Sequence, residues 1–109
     1  MSEKKQIKKD EIYLKLGSFK YVENMASTRG SATPNQFILW FENGQVFQSY
    51  KSIIAVKFNA FKSVDNPYYL GSDWEFSQTT GKYRNAFLNS NKKSIINDLK
   101  NGVAVLMED

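Results

Sequence analysis

Residues 36–58 read QFILWFENGQVFQSYKSIIAVKF, the densest apolar run in the chain and the one with the clearest turn signal. Asn43-Gly44 tolerates positive φ at both central positions of a type I′ turn, so two strands meeting there form a β-hairpin. A two-residue turn sets Glu42 opposite Gln45, Phe41 opposite Val46, Trp40 opposite Phe47, Leu39 opposite Gln48, Ile38 opposite Ser49 and Phe37 opposite Tyr50. One face then carries Phe37, Leu39, Phe41, Val46 and Tyr50. The other carries Ile38, Trp40 and Phe47 among Glu42, Gln45 and Ser49. A sheet wetted on one side alternates cleanly between apolar and polar. This one is apolar on both, so either both faces are covered or the Trp40 and Phe47 face is a docking surface.

Outward from that ribbon, residues 52–58 are rich in β-branched side chains and give a third, antiparallel strand, with Ile54, Val56 and Phe58 on one side and Ile53, Ala55 and Lys57 on the other. Upstream, EIYLKL-GS-FKYVEN (residues 11–24) alternates, with Ile12, Leu14, Leu16, Phe19 and Tyr21 on one face across a Gly17-Ser18 turn, which predicts a second hairpin. A helix from Ile7 to Leu16 capped by Asp10 is the alternative. Residues 26–35, small and polar with Gly30 and Pro34, read as the loop joining the two hairpins. Downstream, residues 59–66 form a connection. Pro67-Tyr68-Tyr69-Leu70 is a short strand that its proline restricts to a sheet edge or a strand start.

Beyond residue 71 the pattern becomes helical. Ser77, Thr79 and Thr80 are all good N-caps, and the helix they open buries Tyr83 and Phe87 at i, i+4 with Leu88 beside them. Arg84 falls at the border of that face and is expected to pair with Asp73 or Glu75. Ser90 or Asn91 caps a second helix, with a stripe of Ile95, Ile96 and Leu99 and a stop at Asn101-Gly102. Residues 103–107, VAVLM, suit a closing strand. The expected fold is one α+β domain over residues 11–109: an antiparallel β-sheet built from hairpins, two short C-terminal helices on one face and a C-terminal strand. Residues 1–10, with Lys4, Lys5, Lys8 and Lys9, read as a basic flexible tail that either solubilises the chain or reaches phosphates.

Composition narrows the chemistry. The 109 residues contain no cysteine and no histidine, which removes disulfides, Cys or His nucleophiles, zinc sites built on those ligands, and the usual base near neutral pH. No run approaches the ~18 apolar residues of a membrane span, so no membrane partner is expected, and a chain without cysteine or an apolar leader reads as untargeted and intracellular. A net charge of +4 favours acidic partners, nucleic acid among them. Only carboxylates remain as acid or base candidates. Asp73 and Glu75, two apart and near basic residues, read as ion-pair partners, although a small hydrolase would need such a pair in a cleft.

Two places concentrate binding chemistry. The first is Ser77 to Lys82, where Thr79, Thr80, a glycine and Lys82 gather at a helix N-terminus, whose open N–H groups and dipole favour an anion; ordinary capping needs only one of the hydroxyls. Lys92 and Lys93 oppose the dipole of the next helix, a cost that either an anionic partner offsets or solvent screening makes negligible. Arg29 beside Gly30 presents a guanidinium on a loop, which is no Walker loop since no Gly-Lys-Ser/Thr follows. The second place is Trp40 with Phe47, which either stack unpaired bases, anchor a protein partner, form a homodimer seam, or pack in the core. No cofactor or metal is implied.

The segments FQSYKSIIAVK, WEFSQTTGKYRNAFL and NKKSIINDLKNG resemble a family of small bacteriophage and mobile-element proteins catalogued as a domain of unknown function. The matching residues are Phe47, Ser49, Tyr50, Trp74, Phe76, Ser77, Thr79, Thr80, Gly81, Lys82, Asn85, Phe87 and Leu88, and the likeness spans roughly residues 28–102. It implies a phage or prophage origin and a shared fold, but no activity. Phage accessory proteins of this size are commonly nucleic-acid binders or inhibitors of host defence. The expected function is therefore a non-catalytic binding protein acting on nucleic acid or on a host nucleic-acid-binding protein. The alternative is a protein–protein inhibitor of a host defence complex, of the anti-CRISPR kind.

Overall fold

A computed structural model describes residues 6–27, 29–75 and 77–108. The elements in chain order are β1 (Gln6–Lys8), α1 (Lys9–Leu16), β2 (Phe19–Ala26), β3 (Ala32–Phe41), β4 (Gly44–Ser49), β5 (Ser52–Phe58), β6 (Tyr68–Leu70), α2 (Gln78–Leu88), α3 (Lys92–Asn101) and β7 (Ala104–Glu108). They build one seven-stranded sheet in the order β1-β7-β6-β5-β4-β3-β2. The run from β2 to β6 is antiparallel, whereas β7 lies parallel to both β6 and β1. Parallel neighbours need a long crossover, and α2 with α3 supplies it between β6 and β7. The fold is α+β, as the residue pattern predicts.

The central hairpin forms, but two residues out of the expected register. Ile38 faces Phe47, Leu39 faces Val46 and Trp40 faces Gln45. Because side chains alternate with period two, a slip of two leaves every residue on its original face while changing its neighbours. Apolar patterning therefore cannot distinguish these registers. The turn decides, and it is not type I′: neither Asn43 nor Gly44 has positive φ. Gly44 lies within β4, where a Cβ would stand 2.5 Å from Lys57 O and 3.0 Å from Leu16 Cδ2. Close approach, not backbone freedom, requires glycine there. Asn43 ties the turn to the end of α1, through its N–H to Leu16 O and its Nδ2 to Lys15 O, both 3.0 Å.

The N-terminal hairpin does not form. Residues 9–16 are helical, and the reason lies in which residues are buried: Ile12 and Leu16, four apart, are completely enclosed, while Leu14 is 84% exposed. A strand would have put all three on one side. The helix starts at Lys9 with Asp10 in its first turn rather than as cap, and ends at Gly17, whose φ is +79. Ile7 belongs to β1, which pairs with β7; residues 6–10, read as tail from their charge, thus join the sheet and α1. Lys4 and Lys5 of that tail lie outside the described residues. β2 pairs instead with β3, and the connection shrinks to residues 27–31 because β3 begins at Ala32 and runs through Pro34.

Two cores result, one on each face of the sheet. Phe47, Ile54, Ala55, Tyr68, Leu70 and Ala104 pack under Tyr83, Phe87 and Leu88 of α2 and Ile95 of α3. On the other face Val46, Val56, Tyr69, Val105 and Met107 pack against Ile12 and Leu16 of α1. The doubly apolar ribbon is so because helices cover both of its sides. Strand β5 departs from strict alternation. A bulge pairs Phe47 with Ala55 and Gln48 with Ile53, so that Ile54 and Ala55 both enter the α2 core. Pro67 stands at a strand start, as expected, although β6 is central in the sheet.

Candidate functional site

Ser77 is the N-cap of α2. Its Oγ accepts from Thr80 N at 3.1 Å, which leaves the N–H groups of Gln78 and Thr79 without intrahelical acceptors. Thr80 is fully buried and turned inward, its Oγ1 3.0 Å from Ser49 Oγ and 3.1 Å from Ser77 Oγ. Thr79, in contrast, is exposed. With Ser49, Tyr50, Lys51, Ser52 and Ser77 it lines a hollow of about 610 Å³ between the β4–β5 turn and the start of α2. Two segments that sequence separates by almost thirty residues, Phe-x-Ser-Tyr and Ser-x-Thr-Thr, meet there.

Tyr50 adopts φ +56, an unusual conformation for a tyrosine. It is held by its N–H to Asn35 O and by Gln48 Nε2 donating to its carbonyl, both 2.7 Å, and its ring is exposed. Beneath this corner, directly across from Ser49 on β3, lies Gln36. It is wholly buried, and among the described residues neither Oε1 nor Nε2 has a hydrogen-bond partner. Each unsatisfied buried group costs roughly 1–3 kcal/mol.

Of the basic residues singled out from the sequence, Lys82 and Lys92 come together beside Ser77 and Gln78 at the start of α2, while Lys93 and Arg29 lie elsewhere. Lys92 forms an ion pair with Glu75 at 3.0 Å. Lys82 lies with its Nζ 5.6 Å from the Tyr83 ring centre. These two share a cleft of about 550 Å³ with Glu75 and Arg84, whereas Lys93 borders a different hollow beside Asp98 and Lys100. Arg29 is exposed in the 27–31 turn, where its backbone N–H bonds Ser27 Oγ at 3.2 Å.

Arg84 does not make the expected carboxylate pair. Its Nη1 donates to Trp74 O at 2.8 Å, its Nε and Nη2 donate to Asn85 Oδ1, and the guanidinium stacks 5.3 Å from the Trp74 ring centre. Burial lowers its pKa and the nearby Glu75 charge opposes that. The acids are engaged elsewhere: Asp73 accepts from Ser52 Oγ at 2.8 Å, and Glu75 holds Lys92. Arg84 staples the turn before α2 to the helix.

The Trp40–Phe47 platform is not formed. Phe47 is fully buried, its ring 5.8 Å from that of Phe87, and is lost to any outside ligand. Trp40 stacks instead on Tyr21 across β2–β3, with centroids 5.6 Å apart and planes 15° from parallel, and its Nε1 donates to Glu23 Oε1 at 2.9 Å. β2 is an edge strand. Tyr21 on one of its faces, and Phe19 and Val22 on the other, are each more than half exposed. Pairing residues 19–24 with residues 11–16 hides the place of Tyr21 beside Trp40; Gln36 carries no signal beyond its place in the ribbon, and Tyr50 is marked only by the Phe-x-Ser-Tyr resemblance. In α3 the stripe narrows to Ile95 and Leu99, with Ile96 39% exposed. Phe76, part of the sequence pattern, lies outside the described residues.

A family model matches residues 21–102, three quarters of the chain. The chain belongs to DUF8033, a family of unknown function. The DUF8033 region contains the Tyr21–Trp40 pair and the whole α2 entrance, and leaves out β1, α1 and β7. No curated protein and no solved structure matches the chain.

Proposed function

We propose that this DUF8033 chain is a non-catalytic binding protein of phage or mobile-element origin that acts on nucleic acid or on the host machinery handling it. The observation that supports this most is the stacked Tyr21–Trp40 pair at the unpaired edge of the sheet. An exposed aromatic platform accepts any base, at ~1–3 kcal/mol per base stacked, and needs no general acid or base. The absence of His and Cys from the sequence and the engagement of Asp73 and Glu75 by Ser52 and Lys92 favour binding over turnover. The phage setting rests on the sequence resemblance, and the bacterial cytoplasm is the compartment it implies. Among the described residues no helix is long and apolar enough to cross a membrane.

Tryptophan emission tests the reading, since Trp74 is buried beside Arg84 and changes report mainly on Trp40. Titration with single-stranded oligonucleotides at low salt is expected to quench it, with affinity falling by about 0.7 log units per neutralised phosphate for each tenfold rise in salt. Flat curves for both DNA and RNA would remove direct binding. The second reading, a protein–protein inhibitor, is favoured by Phe19 and Val22, because base stacking on Trp40 has no use for apolar exposure on the opposite face of β2. Under it, Val22→Glu abolishes partner binding while Tyr21→Ala has the smaller effect.

A further inference from the structure

On the sheet face opposite α2, a hollow of about 410 Å³ opens between the end of α1 and the connection from β5 to β6. That volume lies within the ~300–1,000 Å³ usual for small-molecule sites. Tyr69 of β6 forms part of its floor and is only 8% exposed. The phenol has no hydrogen-bond partner among the described residues, and burial alone raises its pKa. Unlike the Gln36 amide it is not sealed from solvent; the hollow is where it opens. Phenylalanine would fill the same space without a hydroxyl, and a buried polar group left unmet costs roughly 1–3 kcal/mol.

The surroundings of that hydroxyl are held in place. Tyr69 meets Phe58 edge to face, with ring centres 5.9 Å apart and planes at 85°, and Pro67 extends the apolar base. Three carboxamides, Asn43, Asn59 and Asn66, stand around it. Each is anchored through its backbone: Asn43 N–H to Leu16 O at 3.0 Å, Asn59 N–H to Asn43 O at 3.1 Å, and Asn66 N–H to Ser63 Oγ at 3.0 Å. Lys15 and Asp65 are the charged residues of the lining. Being opposite in sign they leave it no net charge, which favours a neutral occupant over a phosphate. We propose that this hollow binds a neutral pyranose ring, with the Tyr69 hydroxyl as the hydrogen-bond donor at its base. Sugar hydroxyls both give and accept hydrogen bonds, as carboxamides do, and the C–H face of a pyranose rests on aromatic and proline carbons. Rings set edge to face offer no parallel pair to sandwich a flat base. The site shares no residue with the β2–β3 platform, and either can fail without the other.

The test is a titration of the full chain with methyl α-glucoside, methyl α-galactoside and N-acetylglucosamine, followed by amide chemical shifts. A maltotriose arm separates a free ring from the end of a glycan, and thymidine and inorganic phosphate are the contrasting ligands. Saturable shifts are expected at Asn43, Asn59, Asn66 and Tyr69 with at least one pyranose; tighter binding of maltotriose than of methyl α-glucoside assigns the end of a glycan. Tyr69→Phe removes only the hydroxyl. It is expected to leave Tm unchanged or raised, since no protein partner is orphaned, and to weaken sugar binding about fivefold. Asn59→Ala, at an exposed position, is expected to weaken it about threefold with the fold intact. Absence of saturable shifts with every sugar, or shifts at these residues with thymidine or phosphate instead, overturns the site. A Tyr69→Phe variant that keeps its Tm and binds sugar as before overturns the role of the phenol.

Discussion

Gly71→Ala is the sharpest test of the packing between β5 and β6. Gly71 follows β6 directly, and its N–H bonds Ile54 O at 2.9 Å. A Cβ placed on it would stand 1.9 Å from Ile53 O and 3.0 Å from Ile53 C. That oxygen belongs to the backbone of a strand hydrogen-bonded on both sides, so no side-chain rotation relieves the clash. The backbones must separate by more than about 1 Å, which costs ~1–3 kcal/mol in misfit and ~1 kcal/mol for the strained hydrogen bond. The bulge that seats Ile54 and Ala55 side by side is the feature displaced. Together ~2–4 kcal/mol corresponds to a Tm loss of roughly 10–25 °C for a domain of this size, read by far-ultraviolet circular dichroism. Gly30→Ala is the control. Gly30, unlike Gly71, has positive φ, +81, and open space around its would-be Cβ, so only the conformational cost of ~1–2 kcal/mol applies. A Gly71→Ala chain that melts within about 3 °C of wild type, or one hurt less than Gly30→Ala, would refute the reasoning.

Phe47→Ala is expected to cost ~3–5 kcal/mol by leaving a cavity under Phe87; a loss below ~1 kcal/mol in urea melts would mean that the ring is not enclosed. Arg84→Lys keeps the charge but not the planar fork shared by Trp74 O and Asn85 Oδ1, and is expected to lose ~2–3 kcal/mol by the same assay; an unshifted midpoint would count against the staple. Burial, followed by the hydrogen bond to Asp98 Oδ2 at 2.6 Å, raises the Tyr68 pKa, and burial raises those of Tyr13 and Tyr69. The unfolded chain releases these protons near pH ~10 while the folded one keeps them, so stability is complete below that pH and declines above it, by at most ~1.4 kcal/mol per pH unit for each tyrosine. Lys57, its pKa lowered by burial and then by Lys62, acts in the opposite sense and at lower pH: the folded chain gives up that proton first, so its penalty fades as the pH rises towards the ordinary lysine range and is gone above it. Tyr68→Phe should flatten the alkaline limb of a Tm-against-pH profile, and an unchanged limb would refute the assignment.

What could be read from the residues follows from which interactions are local. The caps Ser77 and Asn91, the Gly102 stop and the faces of residues 36–49 depend on neighbours within a few positions, and all stand where the pattern puts them. The register of the central hairpin does not, since period-two patterning is blind to a shift of two and the turn is set by Asn43 binding the end of α1 and by Gly44 touching Lys57 O. Ile12, Leu14 and Leu16 satisfy both a strand and, without Leu14, a helix; only the cover demanded by Val46, Val56 and Val105 decides between them. Phe47 was legible as a large aromatic that either packs in the core or meets a partner, and the choice between the two rests with a helix that arrives thirty residues later. The candidate site was legible in part: the hydroxyls at the α2 entrance stood out, while Tyr50, Lys51 and Gln36 acquire meaning only once β4 is laid beside α2.

The place of β7 between β1 and β6 bears on how the chain is made. Gln6 pairs alongside Leu106, and Tyr68 alongside Ala104, so residues 6–8 have no sheet neighbour until residues 104–108 emerge from the ribosome. The β2–β5 meander is complete far earlier in synthesis, with α1 free to settle on Val46 and Val56 while Val105 and Met107 are still missing. Nascent chains stalled before residue 104 should therefore hold a partly closed sheet whose β6 edge is open, and that exposed edge is where a chaperone or a misplaced strand would compete.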